Sequence, residues 1–513
     1  MARIELNLDL NRVEGDLEIR LTLEDGVVVE ARTVGTLYRG LEQILIGRAA
    51  RDALVITPRV CGICSTSHLY AAVLALEQAW GLHPPANATR VRNLCLGAES
   101  LQSDLRQSFL FFAPDFCQPG YAQQPEYARI LAEFEPFQGR IYRETLAVSR
   151  RLVRIVAEFG GQWPHSSFML PGGVTMGPDV RRLLACRAEL DAARQWLEQS
   201  ILGGDMEAWL GLPDAAALQG WLEQGQAADA ALALLNRFAR GLQLHQRGAG
   251  TGHMLSYGAG YEAEAMARGE RITRMAGGFL DGDSGQVQAL DQGLINEHVR
   301  HSWYLPYAGG RHPWEGETVP DYRPDSDRYS WAKAPRYGDK VVQTGPLAEL
   351  LLGGDALMQS LYREEGGSAW LRQLARLRRV AHGLQQARAM LDEMALHLGE
   401  AHFEAPPKAP AASDPDGDGY GLVMAARGAL GHWVKLRDGV IEKYQIVTPT
   451  AWNASPRDSQ GQPGHWEQSL VGLQLGDAED TTEIGHIIRS HDPCLVCTVH
   501  MMASDKRLRF SPF

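Results

Sequence analysis

Two short cysteine motifs at opposite ends of the chain set the constraint that every other feature has to satisfy. Arg59-Val-Cys-Gly-Ile-Cys-Ser-Thr-Ser-His68 carries Cys61 and Cys64, and Asp492-Pro-Cys-Leu-Val-Cys-Thr-Val-His500 carries Cys494 and Cys497. A C-x-x-C lets two sulfurs converge from a single turn of backbone, so the two pairs offer four thiolates, a full ligand set for a soft metal ion. Their first cysteines lie 433 residues apart (494 − 61), so the site exists only if the fold brings its two ends together. Four thiolates by themselves suit a structural zinc, a rubredoxin-like iron or two separate redox pairs. Zinc ribbons keep their knuckles about 12–20 residues apart, which disfavours a folding zinc.

Composition narrows the class. The 513 residues are 45% hydrophobic, enough for a sizeable core in one large fold or several domains. A net charge of −12 with scattered Lys and Arg lacks the concentrated basic footprint of a nucleic-acid binder, so nucleic acid is excluded as a partner. Seven unevenly placed cysteines do not make a disulfide framework and fit a reducing compartment. The opening Met-Ala-Arg-Ile-Glu-Leu-Asn has no apolar leader, and no run of about 18 apolar residues spans a bilayer. The chain is expected in the cytoplasm, associated with a membrane only through partners.

Residues 3–34 alternate apolar and polar around Glu24-Asp25-Gly26, which predicts a small β-sheet with a hairpin turn. Apolar residues at three- and four-residue spacing predict helices over Leu69–Trp80, Ala88–Phe112, Glu144–Glu158, Val180–Leu202 and Ala227–Leu244, and a further pair over Ala369–Ala381 and Leu384–Leu398. Between them lies a long Gly- and Pro-rich region, about 248–345, of the kind that carries function or packs on a partner. A Pro/Ala/Asp linker at 405–418 precedes renewed alternation over Gly421–Ala451. Asp414, Asp416, Asp418 and Gly419 imitate the start of a calcium loop, but Ala425 stands where a bidentate Glu belongs, so a solvated turn is expected. The fold class is α+β: mainly helical, a long-helix bundle core with small peripheral β-sheets. One domain is expected over 1–500, with an N-terminal β region 1–48, a helical core 60–400 and a C-terminal β arm 419–500, followed by an extension 501–513.

The residues around the cysteines carry a resemblance. Arg12-Val-Glu-Gly15, Arg39-Gly-Leu-Glu42, the two cysteine motifs, Ala426-Arg-Gly-Ala-Leu-Gly-His-Trp433 and Thr450-Ala-Trp-Asn-Ala-Ser-Pro-Arg-Asp458 resemble the large subunit of nickel–iron hydrogenases, in the family's order. The resemblance implies that fold and H2 oxidation. It places nickel on Cys61, Cys64, Cys494 and Cys497, with Cys64 and Cys497 bridging to an iron that bears one carbonyl and two cyanides. Cys494 and Glu14 resemble the first proton relay, and Glu42 and His500 the ligands of a magnesium. Arg427, Asp104 and Asp492 fit the charged residues above the metals, Thr450 a donor to a cyanide, and His68 a donor to a thiolate. Read without the resemblance, Glu14 is a strand-end residue, Glu42 and Asp104 are solvated helix faces, and Asp492 starts a turn.

Ile63 and Phe111 match positions that line the family's gas channel, where their bulk resembles the hydrogen-sensing and cyanobacterial-uptake branch; core packing explains them equally well. Cys95, Cys117 and Cys186 read as ordinary buried thiols. Residues 501–513 resemble the tail that a maturation endopeptidase removes after His500, or else form a plain frayed terminus. All four motif cysteines are used and no iron–sulfur motif remains, so the implied partner is an Fe–S small subunit. It would pass electrons to a membrane acceptor or, in the alternative reading of an H2 sensor, signal to a histidine kinase.

Overall fold

A stripe of glycines explains how the distant ends meet. The computed structural model describes residues 3–13, 15–405, 414–475 and 481–494. In it the helix Ser65–Trp80, which starts directly after Cys64, lies across the strand Gly417–Ala425. Gly417, Gly419 and Gly421 share one strand face because strand side chains alternate, and Ala71, Ala75 and Ala79 share one helix face at four-residue spacing. A Cβ on these glycines would stand 2.1, 2.0 and 1.9 Å from the carbonyl oxygens of Ala79, Ala75 and Ala71, so backbone meets backbone there only with glycine. The stretch expected as a solvated turn is therefore the start of a strand. Its acids are taken by arginines, Asp414 by Arg51 at 3.2 Å and Asp418 by Arg437 at 2.7 Å.

Gly417–Ala425 continues into Gly428–Arg437 and Val440–Val447 as an antiparallel three-stranded sheet, with the expected turn at Asp438-Gly439. A second clasp runs the other way. The strands Arg3–Asp9, Leu17–Glu24 and Val27–Gly35 form an antiparallel sheet turned at Asp25-Gly26, as the alternation predicts. Leu17, Ile19, Leu21, Leu23 and Val28 line its buried face and pack on Trp466, Leu470, Ile484, Ile487 and Ile488, so the N-terminal sheet holds the helix Thr482–Arg489 that leads to Cys494. Cys61 and Cys64 on one side and Cys494 on the other are thus each supported by an element from the opposite end of the chain.

Between the clasps, Ala86–Arg106, Arg140–Gly160, Val180–Trp196 and Ala369–Leu396 pack as a ring of four helices around the largest apolar cluster. The pair of helices expected over 369–398 is one continuous helix, Ala369–Leu396. Gly383 does not break it, because the missing side chain admits Leu101 of the neighbouring helix, whose Cδ2 would lie 2.9 Å from a Cβ. The helix expected over 227–244 is two, Gly225–Asp229 and Ala231–Gly241. The 248–345 region contains seven strands of two to four residues, one short α-helix and one 3-10 turn, and its segment Tyr329–Tyr337 is buried rather than presented at the surface. Among the described residues no helix is long and apolar enough to cross a membrane.

Candidate metal centre

Cys61, Cys64 and Cys494 meet in the core. Their sulfurs lie within 4.8 Å of one another, with Cys61 Sγ and Cys494 Sγ 3.5 Å apart, and the residues are 1%, 5% and 0% exposed. No disulfide joins them. Ile63 and the ring of Trp163 close the cluster on its apolar side. The backbone N–H of Ile63 points at Cys61 Sγ from 3.4 Å, and that of Cys494 donates to Thr450 Oγ1 at 3.2 Å. Converging, uncrosslinked thiols in a dry pocket are a soft-metal ligand set. Cys497, Glu14 and His500 lie outside the described residues.

A layer of charge covers the sulfurs. Arg427 donates from Nε to the Asp492 carbonyl at 3.1 Å and pairs through Nη2 with Asp492 Oδ1 at 3.2 Å. Burial pushes this arginine's pKa down, but Asp492 and the three cysteines more than offset it, so the guanidinium stays charged. Burial pushes the Asp492 carboxyl up, opposed by Arg427 and Arg376. Among the described residues Arg427 Nη1 is buried without a hydrogen-bond partner. An orphaned guanidinium N–H beside three thiols suits an anionic group in the pocket, such as a cyanide on iron. The donor set therefore fits a nickel–iron pair.

Asp104 is 1% exposed and not a solvated carboxylate. Arg379 grips it with Nη2 at 2.7 Å and Nε at 2.9 Å, and Arg376 Nη1 lies 3.1 Å from Asp104 and 3.7 Å from Asp492. Arg379 also holds the buried Glu349 at 3.0 Å. Sequence reading missed Arg376, Arg379 and Glu349. A signal existed: Arg372, Arg376 and Arg379 repeat at four and three residues within a leucine-rich helix, which places them on one face.

His68, 1% exposed, sits one turn after Cys64, and its pKa falls to about 4, chiefly through burial. Its Nδ1 lies 3.0 Å from His432 Nε2, and His432 Nδ1 lies 2.8 Å from the Tyr444 hydroxyl. Glu42 faces a second, separate cavity of about 50 Å³, shared with Glu297, Thr318 and Lys333. Its carboxylate accepts from the Ile446 N–H at 2.8 Å and the Thr318 hydroxyl, with Lys333 Nζ at 3.5 Å. Lys333 bonds Glu297 at 2.7 Å, and among the described residues Glu297 Oε1 is buried without a partner. Burial lifts the Glu297 pKa to about 7 against the pull of Lys333. Two carboxylates against one ammonium leave acceptor capacity for a hard cation, so these residues fit magnesium.

The segment just before residue 14 is anchored at Asn11 and Arg12. Arg489 donates to Asn11 O at 3.1 Å and to Asn11 Oδ1 at 2.7 Å and pairs with Asp115 at 2.7 Å, while Arg12 also pairs with Asp115 and donates to Phe111 O at 3.0 Å. Cys95 and Cys186 are buried and Cys117 is partly so; burial pushes the Cys117 and Cys186 thiols up to about 12, as inert core thiols should be.

The family model for nickel-dependent hydrogenases matches residues 39–124 and 116–500. The periplasmic NiFeSe hydrogenase large subunit of Desulfomicrobium baculatum is 30% identical over 536 residues, covering 98% of this chain and 96% of that one. The hydrogenase-1 large chain of Escherichia coli K12 is 30% identical over 590 residues, covering 97% and 94%. A solved structure of the H2-activated D. baculatum NiFeSe hydrogenase superposes with a TM-score of 0.81 at 29% identity, covering 97% of this chain and 100% of that chain.

Proposed function

The chain belongs to the large subunits of nickel-dependent hydrogenases, and from that premise we propose that it oxidises H2 to two protons and two electrons at a centre held by Cys61, Cys64, Cys494 and Cys497. The observation that carries this reading is the meeting of Cys61, Cys64 and Cys494 within 4.8 Å, under a buried arginine with an unpartnered N–H. When bound, nickel and an iron bearing one carbonyl and two cyanides supply the polarisation of the H–H bond and accept its electrons. Arg427 places fixed positive charge over that centre and its free Nη1–H toward a cyanide; Asp492 and Asp104, through Arg376, hold it there. Thr450, whose oxygen already accepts from Cys494, has its hydroxyl hydrogen left to donate to a cyanide. Cys494 Sγ takes the first proton and passes it to the Glu14 carboxylate.

Glu42, with His500, would hold a magnesium, and the Glu297 carboxylate beside it would add negative charge to that site. Electrons leave through an Fe–S small subunit toward a membrane acceptor. Residues 1–500 act as one unit, and an endopeptidase removes 501–513 once the metals are in place; the family match ends at residue 500, which supports that boundary. Four motif cysteines assigned to a metal rather than to disulfides favour assembly in the cytoplasm, while the relative named periplasmic favours a second location afterwards. A second reading, an H2 sensor signalling to a histidine kinase, is favoured by Ile63, which packs against the sulfurs, where its bulk would narrow access. Fast H2-dependent dye reduction by the purified complex separates the enzyme from the slow sensor.

Infrared spectroscopy with nickel analysis tests the proposal. The complex should show carbonyl and cyanide bands and about one nickel per chain, and Cys61→Ser or Cys494→Ser should lose both. Zinc without those bands, or a serine variant that keeps nickel and H2 uptake, would sink it.

A further inference from the structure

A line of hydrogen bonds runs from the C-terminal sheet to the helix that follows the first cysteine pair. Tyr444 stands on Val440–Val447, two residues from Ile446, the cross-strand partner of His432, so its ring and His432 share one face of the sheet. His68 stands on Ser65–Trp80, packed against that sheet. The two contacts measure 2.8 Å from the Tyr444 hydroxyl to His432 Nδ1 and 3.0 Å from His432 Nε2 to His68 Nδ1, and all three residues are at most 1% exposed.

Proton counting fixes the direction of this line. Among the described residues the Tyr444 hydroxyl has His432 Nδ1 as its one partner, inside an apolar cluster. A buried O–H left without an acceptor is costly, so the hydroxyl donates and His432 Nδ1 is bare. His432 then carries its hydrogen on Nε2 and donates to His68 Nδ1, which is bare in turn. The only nitrogen left to hold the His68 hydrogen is Nε2. The reverse direction would strand the tyrosine hydrogen and leave His68 Nε2 bare.

We propose that Tyr444, two hydrogen bonds removed from His68, is a positioning residue for the metal centre: its hydroxyl, acting through His432, sets the His68 tautomer so that the ring donates to a thiolate and cannot accept from one. This rests on the reading of Cys61, Cys64, Cys494 and Cys497 as the metal ligands. A thiolate that accepts a hydrogen bond gives less electron density to the metals.

The test is infrared spectroscopy and redox titration of the assembled large and small subunits. Tyr444→Phe keeps the ring and removes the donor; at wild-type nickel content its carbonyl band should move to lower frequency and the centre's midpoint potential should fall. His432→Gln replaces the ring by an amide that accepts from Tyr444 and donates to His68, and should return both to wild-type values. Unchanged bands in Tyr444→Phe would overturn the proposal, and equal shifts in both variants would overturn it too, because they would report disturbed packing rather than a lost donor. Wild-type protein without carbonyl and cyanide bands would instead overturn the metal reading itself, and the proposal with it. Should Tyr444→Phe fail to take up nickel, His432→Gln alone decides: wild-type bands support the relay through residue 432, shifted bands refute it.

Discussion

Gly419→Ala is the most direct probe of how the two ends are joined. The added methyl would sit 2.0 Å from the carbonyl oxygen of Ala75, where ordinary contact begins at 3.4 Å, so the strand or the helix must move by about 1.4 Å (3.4 − 2.0). The obstacle is backbone in a helix wedged between sheet and bundle, which does not rotate away as a side chain would. Overpacking of a rigid core costs about 1–3 kcal/mol, and this geometry belongs at about 3 kcal/mol. At about 2.1 cal/mol/K of unfolding entropy per residue, a chain of 513 residues changes by about 1.1 kcal/mol per degree, so the melting temperature should fall by about 3 °C. Nickel content should fall as well, because the displaced helix begins at Ser65, next to Cys64. Gly97→Ala is the opposite-sign control: that glycine lies within Ala86–Arg106 with nothing within 4 Å of an added Cβ, so helix propensity should stabilise the protein by about 1 kcal/mol. Calorimetry and metal analysis of the two variants decide the matter. If Gly419→Ala melts with wild-type protein and keeps its nickel, the glycine–alanine seam does not set the position of the cysteine helix.

Three further outcomes are expected. Arg427→Lys keeps the charge but loses the fork over the sulfurs, so H2 uptake should drop about a hundredfold or more at unchanged nickel content; retained uptake would remove Arg427 from the chemistry. Asp104→Asn leaves Arg376 and Arg379 short of a buried counter-charge and sets an amide N–H against a guanidinium, which should destabilise by about 3–5 kcal/mol in thermal melts. Burial raises the Glu467 pKa from 4.5 to about 7, despite the Thr33 N–H and the Tyr329 hydroxyl that it accepts from. The folded state thus holds a proton that the unfolded state has released between those values, so stability should fall as pH rises through this window, by about 3 kcal/mol in all. Glu467→Gln should flatten that slope in melting temperature against pH, and an unchanged slope would refute the assignment.

Periodicity was enough to place most of the helices and the two terminal three-stranded sheets, because amphipathic spacing and hairpin turns are local; the third such sheet, Val287–Gln288, Gly278–Leu280 and Met254–Ser256, was not anticipated within the 248–345 region. Periodicity failed at Gly383, where the residue that reads as a break exists to admit Leu101 from another helix. It failed again at Asp414–Gly419, where a stretch that reads as a solvated turn leads into the packing seam of the strand Gly417–Ala425. Of the site, Cys61, Cys64, Cys494, Arg427, Asp492 and Thr450 were legible in their motifs and stand together in the core. Arg376, Arg379, Glu349 and Lys333 were not, since a charge on an otherwise apolar segment looks the same whether it meets water or a partner distant in sequence.

The sequence by itself determined the chemistry: which atoms are soft ligands, which side chains carry charge, and that sulfurs 433 residues apart (494 − 61) have to converge. Only the tertiary structure decided how they converge and which charges are buried against which. Those depend on surfaces fitting across the whole chain, as where a missing Cβ lets a strand rest on a helix backbone, and no local pattern of residue types encodes such a fit.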